Sequence, residues 1–204
     1  MEQSFSPSFP VRAGSSDAAF RRHVRWSRLL VILGCFWLLL SVRAEIAEEG
    51  REYRVKAGFL FNFAKYIEWP ASVLPLTNSE IRIGVLAEDP AAPILQEVLK
   101  GKVANGRPIK VMLLKSLGEL PDCHIFFLSR AERARVDEVL TRARGTTTVT
   151  VGEVDQFAHR GGIVNFIRQN DAFRFEVNLV GAERAGLKVS AYLAGMATVV
   201  KPRP

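Results

Sequence analysis

Cysteine and histidine are scarce: two and three, respectively, in 204 residues. The thiols are Cys35 and Cys123, and the imidazoles are His23, His124 and His159. There is no cysteine pair at metal or redox spacing, no H-E-x-x-H, no G-x-S-x-G and no glycine loop that cradles phosphate. Those absences remove most of the usual catalytic inventory. A Cys123–His124 nucleophile pair is disfavoured because successive residues on a strand point to opposite faces. His124 opens an apolar run and reads as hydrogen-bonded structure. His159 precedes the pair Gly161-Gly162 and reads as surface. Neither a cofactor nor a metal is expected.

A long hydrophobic run is also missing. The longest, residues 29–42 (LLVILGCFWLLLSV), has 14 residues, short of the roughly 18–20 that cross a bilayer. Arg21, Arg22, Arg25 and Arg28 precede it and Val42-Arg43-Ala44 follows, so residues 1–44 are expected to be a polar lead and a cleaved secretory signal. An uncleaved N-terminal anchor is the alternative. Lipidation at Cys35 is disfavoured, because too few apolar residues precede it. The pair Arg21-Arg22 alone is a weak twin-arginine signal. Six of the 28 basic and two of the 21 acidic residues lie in this segment, which lowers the net charge from +7 for the whole chain to +3 for residues 45–204. Nucleic acid is therefore not an expected partner.

Residues 45–204 are long enough for one self-sufficient domain. After cleavage Cys123 would stand alone, as a buried thiol entering a core strand. The domain is organised around residues 53–70 (YRVKAGFLFNFAKYIEWP). At helical period Tyr53, Ala57, Leu60, Ala64 and Ile67 share a face with Phe63 beside them, and Phe59 and Phe61 widen it almost to a full wrap. Arg54, Lys56, Lys65 and Glu68 form the polar edge, and Trp69-Pro70 closes the helix.

Downstream, strands are expected at 81–86, 109–114, 124–128 and 147–151. A short helix at about 94–99 is stopped by Gly101. A longer one runs from a capping box at Ser129–Glu132 to about Arg144. Residues 154–159 suit a short helical turn. The alternating runs 163–168 and 173–179, joined by Gln169-Asn170-Asp171, predict a hairpin. Residues 180–200 read as one last helix, weakened at Gly186 and Gly195. The pattern predicts a single three-layer α/β domain: a mixed sheet of about six strands, with a parallel core and a C-terminal antiparallel hairpin, flanked by helices.

Two sets of residues are candidates for function. Phe59, Tyr66 and Trp69 cannot all face one core with Phe61, and aromatic residues are enriched where proteins dock. Packing under the loop at 72–79 or against the last helix is the structural alternative for them. Ser129 at a helix start, with Glu153 and Asp155 just after a strand, could form an anion or small-ligand site, since open α/β sheets bind ligands near strand ends. Simple capping by Ser129 and solvated carboxylates are the ordinary readings.

The run at residues 55–70, V-K-A-x-F-L-x-N-F-A-K-Y-x-E-W-P, resembles the first helix of the YfiR-like periplasmic proteins. So do 123–129 (CHIFFLS), 148–151 (TVTV) followed by Phe157, Gly161-Gly162-Ile163 and Phe166, and 173–179 (FRFEVNL) followed by 184–187 (RAGL). The resemblance implies a periplasmic, non-enzymatic regulator that binds the outer region of a membrane diguanylate cyclase or similar receptor. Such binding lowers cyclic di-GMP and hence biofilm formation. Self-association as a homodimer stays open. The family's best-known member depends on several cysteines, and here the chain departs from it: Cys123 alone cannot form a switch within one chain. A periplasmic small-ligand-binding subunit of a sensor kinase or transport system is the alternative function.

Overall fold

A helix apolar over most of its circumference must be covered on several sides, and α1 (residues 48–66) is. The computed structural model describes residues 48–75, 79–170 and 172–202; the segment 1–44, where a secretory signal is expected, and Asp171 of the hairpin link lie outside the described residues. Tyr53, Ala57, Leu60, Phe63, Ala64 and Ile67 are all buried, as their spacing predicts. Lys56 is the exception on the expected polar edge: it is 1% exposed. The helix stops at residue 66, and Ile67–Glu68 is a short strand, β1, rather than a last helical turn.

The remaining elements, in order, are β2 (Ile81–Leu86), α2 (Ala92–Leu99), β3 (Val103–Ala104), β4 (Arg107–Leu114), β5 (Ile125–Leu128), α3 (Val136–Ala143), β6 (Val149–Gly152), β7 (Val164–Gln169), β8 (Ala172–Val177), α4 (Leu179–Arg184), β9 (Lys188–Val189), α5 (Ala191–Met196) and β10 (Thr198–Val199). The main sheet has eight strands in the order β10-β8-β7-β6-β5-β2-β4-β3. Strands β4, β2, β5, β6 and β7 run parallel, while β7 and β8 form the expected antiparallel hairpin. The count exceeds six because two-residue edge strands carry no periodicity of their own.

Period-2 alternation gives the sheet two apolar faces. Ile83, Val85, Ile125, Phe127, Val151 and Phe166 join α1 and α2 in one core. Leu86, Leu114, Phe126 and Leu128 join α3 in the other. The result is three layers.

Two local expectations are corrected. The helix at Ser129 begins as a 3-10 segment, Arg130–Arg135, with non-helical geometry at Glu132, and becomes α-helical only at Val136. Ser129 still caps it, accepting from the Ala131 amide at 3.2 Å. Residues 154–159 form the short turn expected there, with the Phe157 amide donating to the Val154 carbonyl at 3.0 Å. The segment 180–200 is not one helix: Gly186 adopts φ +74, a left-handed value that suits glycine, and the chain leaves α4 to form β9. Strand β9 pairs antiparallel with β1 in a separate two-stranded ribbon, and Ser190 then caps α5 by accepting from the Leu193 amide at 3.2 Å.

Candidate functional site

In the order β4-β2-β5-β6 the chain direction across the sheet reverses beside β2, and the carboxyl ends of such strands are where open α/β sheets bind ligands. Here β2 is followed by Asp89, β5 by Ser129 and β6 by Glu153, all three buried. From α1, Lys56 reaches in and pairs with both Glu153 and Glu52. The Lys56 ammonium also lies 5.0 Å from the Tyr53 ring and 5.5 Å from the Phe173 ring. Glu153 Oε1 accepts the Arg130 amide at 2.6 Å.

Burial holds the Asp89 carboxyl above the ordinary carboxylate range, against the opposing pull of Ser129, the Ala91 amide and the Lys56 charge. Burial, followed by the Glu153 charge, likewise pushes the Tyr53 phenol upward. The structure therefore brings Ser129 and Glu153 together, but as a closed network. The Arg130 and Ala131 amides that an anion would need are already spent on Glu153 and Ser129. A carboxylate occupies the place of the expected anion. The network clamps α1 to the sheet.

Asp155 does not join them. It lines a separate cleft with His159, Asn165 and Glu176. A larger cleft of about 440 Å³ carries Arg144, Arg160 and Arg184 on its rim. A third, of about 290 Å³, runs beside Trp69, Leu74 and Arg107. None of the three is lined by Lys56, Glu153, Ser129 or Asp89.

The three aromatic candidates also part company. Phe59 is half-buried, with its ring 5.7 Å from Phe166 and 5.6 Å from Phe175. Trp69 is buried, donates its indole N–H to the Thr147 carbonyl at 3.1 Å and meets His124 edge-on. Both are packed inside the domain. Tyr66, half-buried as Phe59 is, packs its ring with the centroid 4.9 Å from that of Tyr192. Tyr192 is 60% exposed and Met196 41%.

A rigid mount holds this pair. Ile67 pairs with Val189 and Glu68 with Lys188, and the Ser190 amide donates to the Tyr66 carbonyl at 3.0 Å. Lys65 lies 5.2 Å over the Tyr66 ring and adds positive charge beside it. Tyr192 and Met196 were hidden in the sequence because reading 180–200 as one helix gave them no special position. The signal available was the Ser190 cap, a serine directly before an apolar turn.

His124 behaves as structure. Its Nδ1 accepts the Arg82 amide at 3.0 Å, and burial, with the nearby Arg82 charge, pulls its pKa down to about 4. Cys123 is free and buried, and burial pushes its thiol up to about 12.

No curated protein matches this chain. The family model described as YfiR/HmsC-like matches residues 53–198, from the buried face of α1 to the start of β10. That span is most of the sequence and contains both cores and the tyrosine mount: the chain belongs to the YfiR/HmsC-like family.

Proposed function

We propose that this protein is an exported, non-catalytic regulator. It binds the outer region of a membrane-bound diguanylate cyclase, or a similar receptor, and represses it, lowering cyclic di-GMP. Membership of the YfiR/HmsC-like family carries this reading. The exposed Tyr192 and Met196, beside the half-buried Tyr66, supply a surface of suitable chemistry, since tyrosine and methionine are enriched at interfaces and the β1–β9 ribbon holds the tyrosine pair in place. A regulator of this kind acts only through its difference in affinity for the receptor's two states. The leader at 1–44 supports an extracytoplasmic location.

The test is cellular cyclic di-GMP in strains lacking the protein, restored with the wild type or with Tyr192→Ala/Met196→Ala. Loss of the protein raises cyclic di-GMP, the wild type lowers it again, and the double variant does not while folding normally. Unchanged cyclic di-GMP in the deletion strain contradicts the reading.

A further inference from the structure

Asn165 and Glu176 are partners across β7 and β8. Their side chains lie on the face of the hairpin opposite Val164, Phe166 and Phe175, which belong to the core under α1. Asn165 is 1% exposed. Its Nδ2 donates to Glu176 Oε2 at 3.1 Å. That contact fixes the amide's orientation, with the nitrogen toward the carboxylate and Oδ1 away from it. Asn165 Oδ1 is buried and has no hydrogen-bond partner. Folded proteins seldom leave such an atom unpaired, and what it lacks is a donor.

Both residues line a cleft of about 340 Å³, together with Asp155, Gln156, His159 and Ile167. The lining holds two carboxylates and neither lysine nor arginine. The His159 Nδ1–H is spent on the Lys201 carbonyl at 3.1 Å, and its Nε2 stands 3.9 Å from Glu176 Oε1. Ile167 adds an apolar wall. Carboxylate, carboxylate and amide oxygen together call for a donor-rich cation with some apolar surface. Among the described residues no group of three His, Cys, Asp or Glu side chains is placed to hold a metal ion, whereas an alkylammonium supplies several N–H donors on an apolar stem.

The basic cleft carrying Arg144, Arg160 and Arg184 makes no comparable demand. Thr148 and Asn178 there donate to backbone carbonyls, Thr150 accepts the Ile163 amide, and Arg160 pairs with Asp137.

We propose that the cleft between the 155–159 turn and the outer face of the β7–β8 hairpin binds a primary alkylammonium ligand. Its N–H groups donate to Asn165 Oδ1 and to the carboxylates of Glu176 and Asp155. The site is separate from the tyrosine mount and does not rest on the regulatory reading. Its volume suits a small, short-chain amine.

The experiment is isothermal titration of the purified full chain with putrescine as the probe. Butanediol serves as the uncharged control, and tetramethylammonium as a cation without N–H donors. Putrescine gives a saturable heat at millimolar concentration or below, and the controls give none. Glu176→Gln and Asp155→Asn each weaken binding about tenfold or more, the loss expected for one charge-assisted hydrogen bond. Asp155 is exposed, so its variant keeps the fold even if Glu176→Gln does not. Three results would overturn the proposal: no saturable putrescine heat with a folded protein, equal binding of tetramethylammonium, or undiminished affinity in Asp155→Asn.

Discussion

Lys56 on α1 and Glu153 at the end of β6 lie 97 residues apart in sequence and form an ion pair whose side chains are 1% and 2% exposed. Removing one member of such a pair strands the other charge in the interior, typically at a cost of about 3–5 kcal/mol. Lys56→Met should therefore lower the urea midpoint steeply. Adding Glu153→Gln removes the stranded charge while keeping an oxygen for the Arg130 amide, so the double variant should recover most of the loss. Additive losses in the two variants would show that the pair is not a coupled unit.

Which parts of this arrangement could be read from the chain follows from range. β2 is legible to the residue because IRIGVL is a mostly apolar, β-branched run bounded by turn signals, and the hairpin because two alternating runs flank a polar link. Glu52 and Lys56 at helical spacing suggest only an exposed pair. Their burial depends on Glu153, which no local pattern connects to them. The segment 180–200 misleads for the opposite reason. Its alanines and leucines satisfy helical period, but a left-handed Gly186 and the pairing of Lys188 and Val189 with β1 decide its course. Ser129 was legible as a cap, whereas its closeness to Glu153 comes from the sheet order.

Acid should weaken the fold through His124. Unfolded, this imidazole titrates near 6.5; folded, its pKa is about 4. Between those values the unfolded chain holds more protons, so stability rises with pH there. The contribution is complete above pH 6.5 and is lost as the pH falls toward 4. It amounts to up to about 3 kcal/mol. Asp89, with its pKa raised, acts in the opposite sense, so the His124 contribution is the difference between wild type and His124→Asn, in which the amide oxygen replaces Nδ1 as acceptor. Urea unfolding across this range should show a shallower acid loss in the variant. Parallel curves would contradict the assignment.

Cys123 occupies the space a side chain at position 84 would need: a Cβ on Gly84 would lie 2.3 Å from its sulfur and 3.0 Å from Leu114 Cδ1. Overpacking of this kind costs about 1–3 kcal/mol. Gly84→Ala should lower the melting temperature, and Cys123→Ala should recover part of the loss by removing the sulfur. Labelling of Cys123 by a thiol reagent should be slow in the native protein and follow unfolding, because the thiol is both buried and held protonated. Rapid native labelling would contradict that burial.

Trp69 and Tyr192 should separate stability from signalling. Trp69→Ala opens a cavity and orphans the Thr147 contact, a change that typically costs about 3–5 kcal/mol. Tyr192 projects from the first turn of α5, and truncation at such a surface position usually changes stability by less than about 0.5 kcal/mol. Thermal melts of the two variants, measured side by side, should differ accordingly. Equal destabilisation would place Tyr192 in the core.

The most direct measurement is cyclic di-GMP in cells producing Tyr192→Asp at wild-type abundance, with the melting temperature of the purified variant beside it. The account predicts that cyclic di-GMP rises to the level of cells lacking the protein while the melting temperature stays within a few degrees of wild type. Full repression by a folded Tyr192→Asp protein would contradict it.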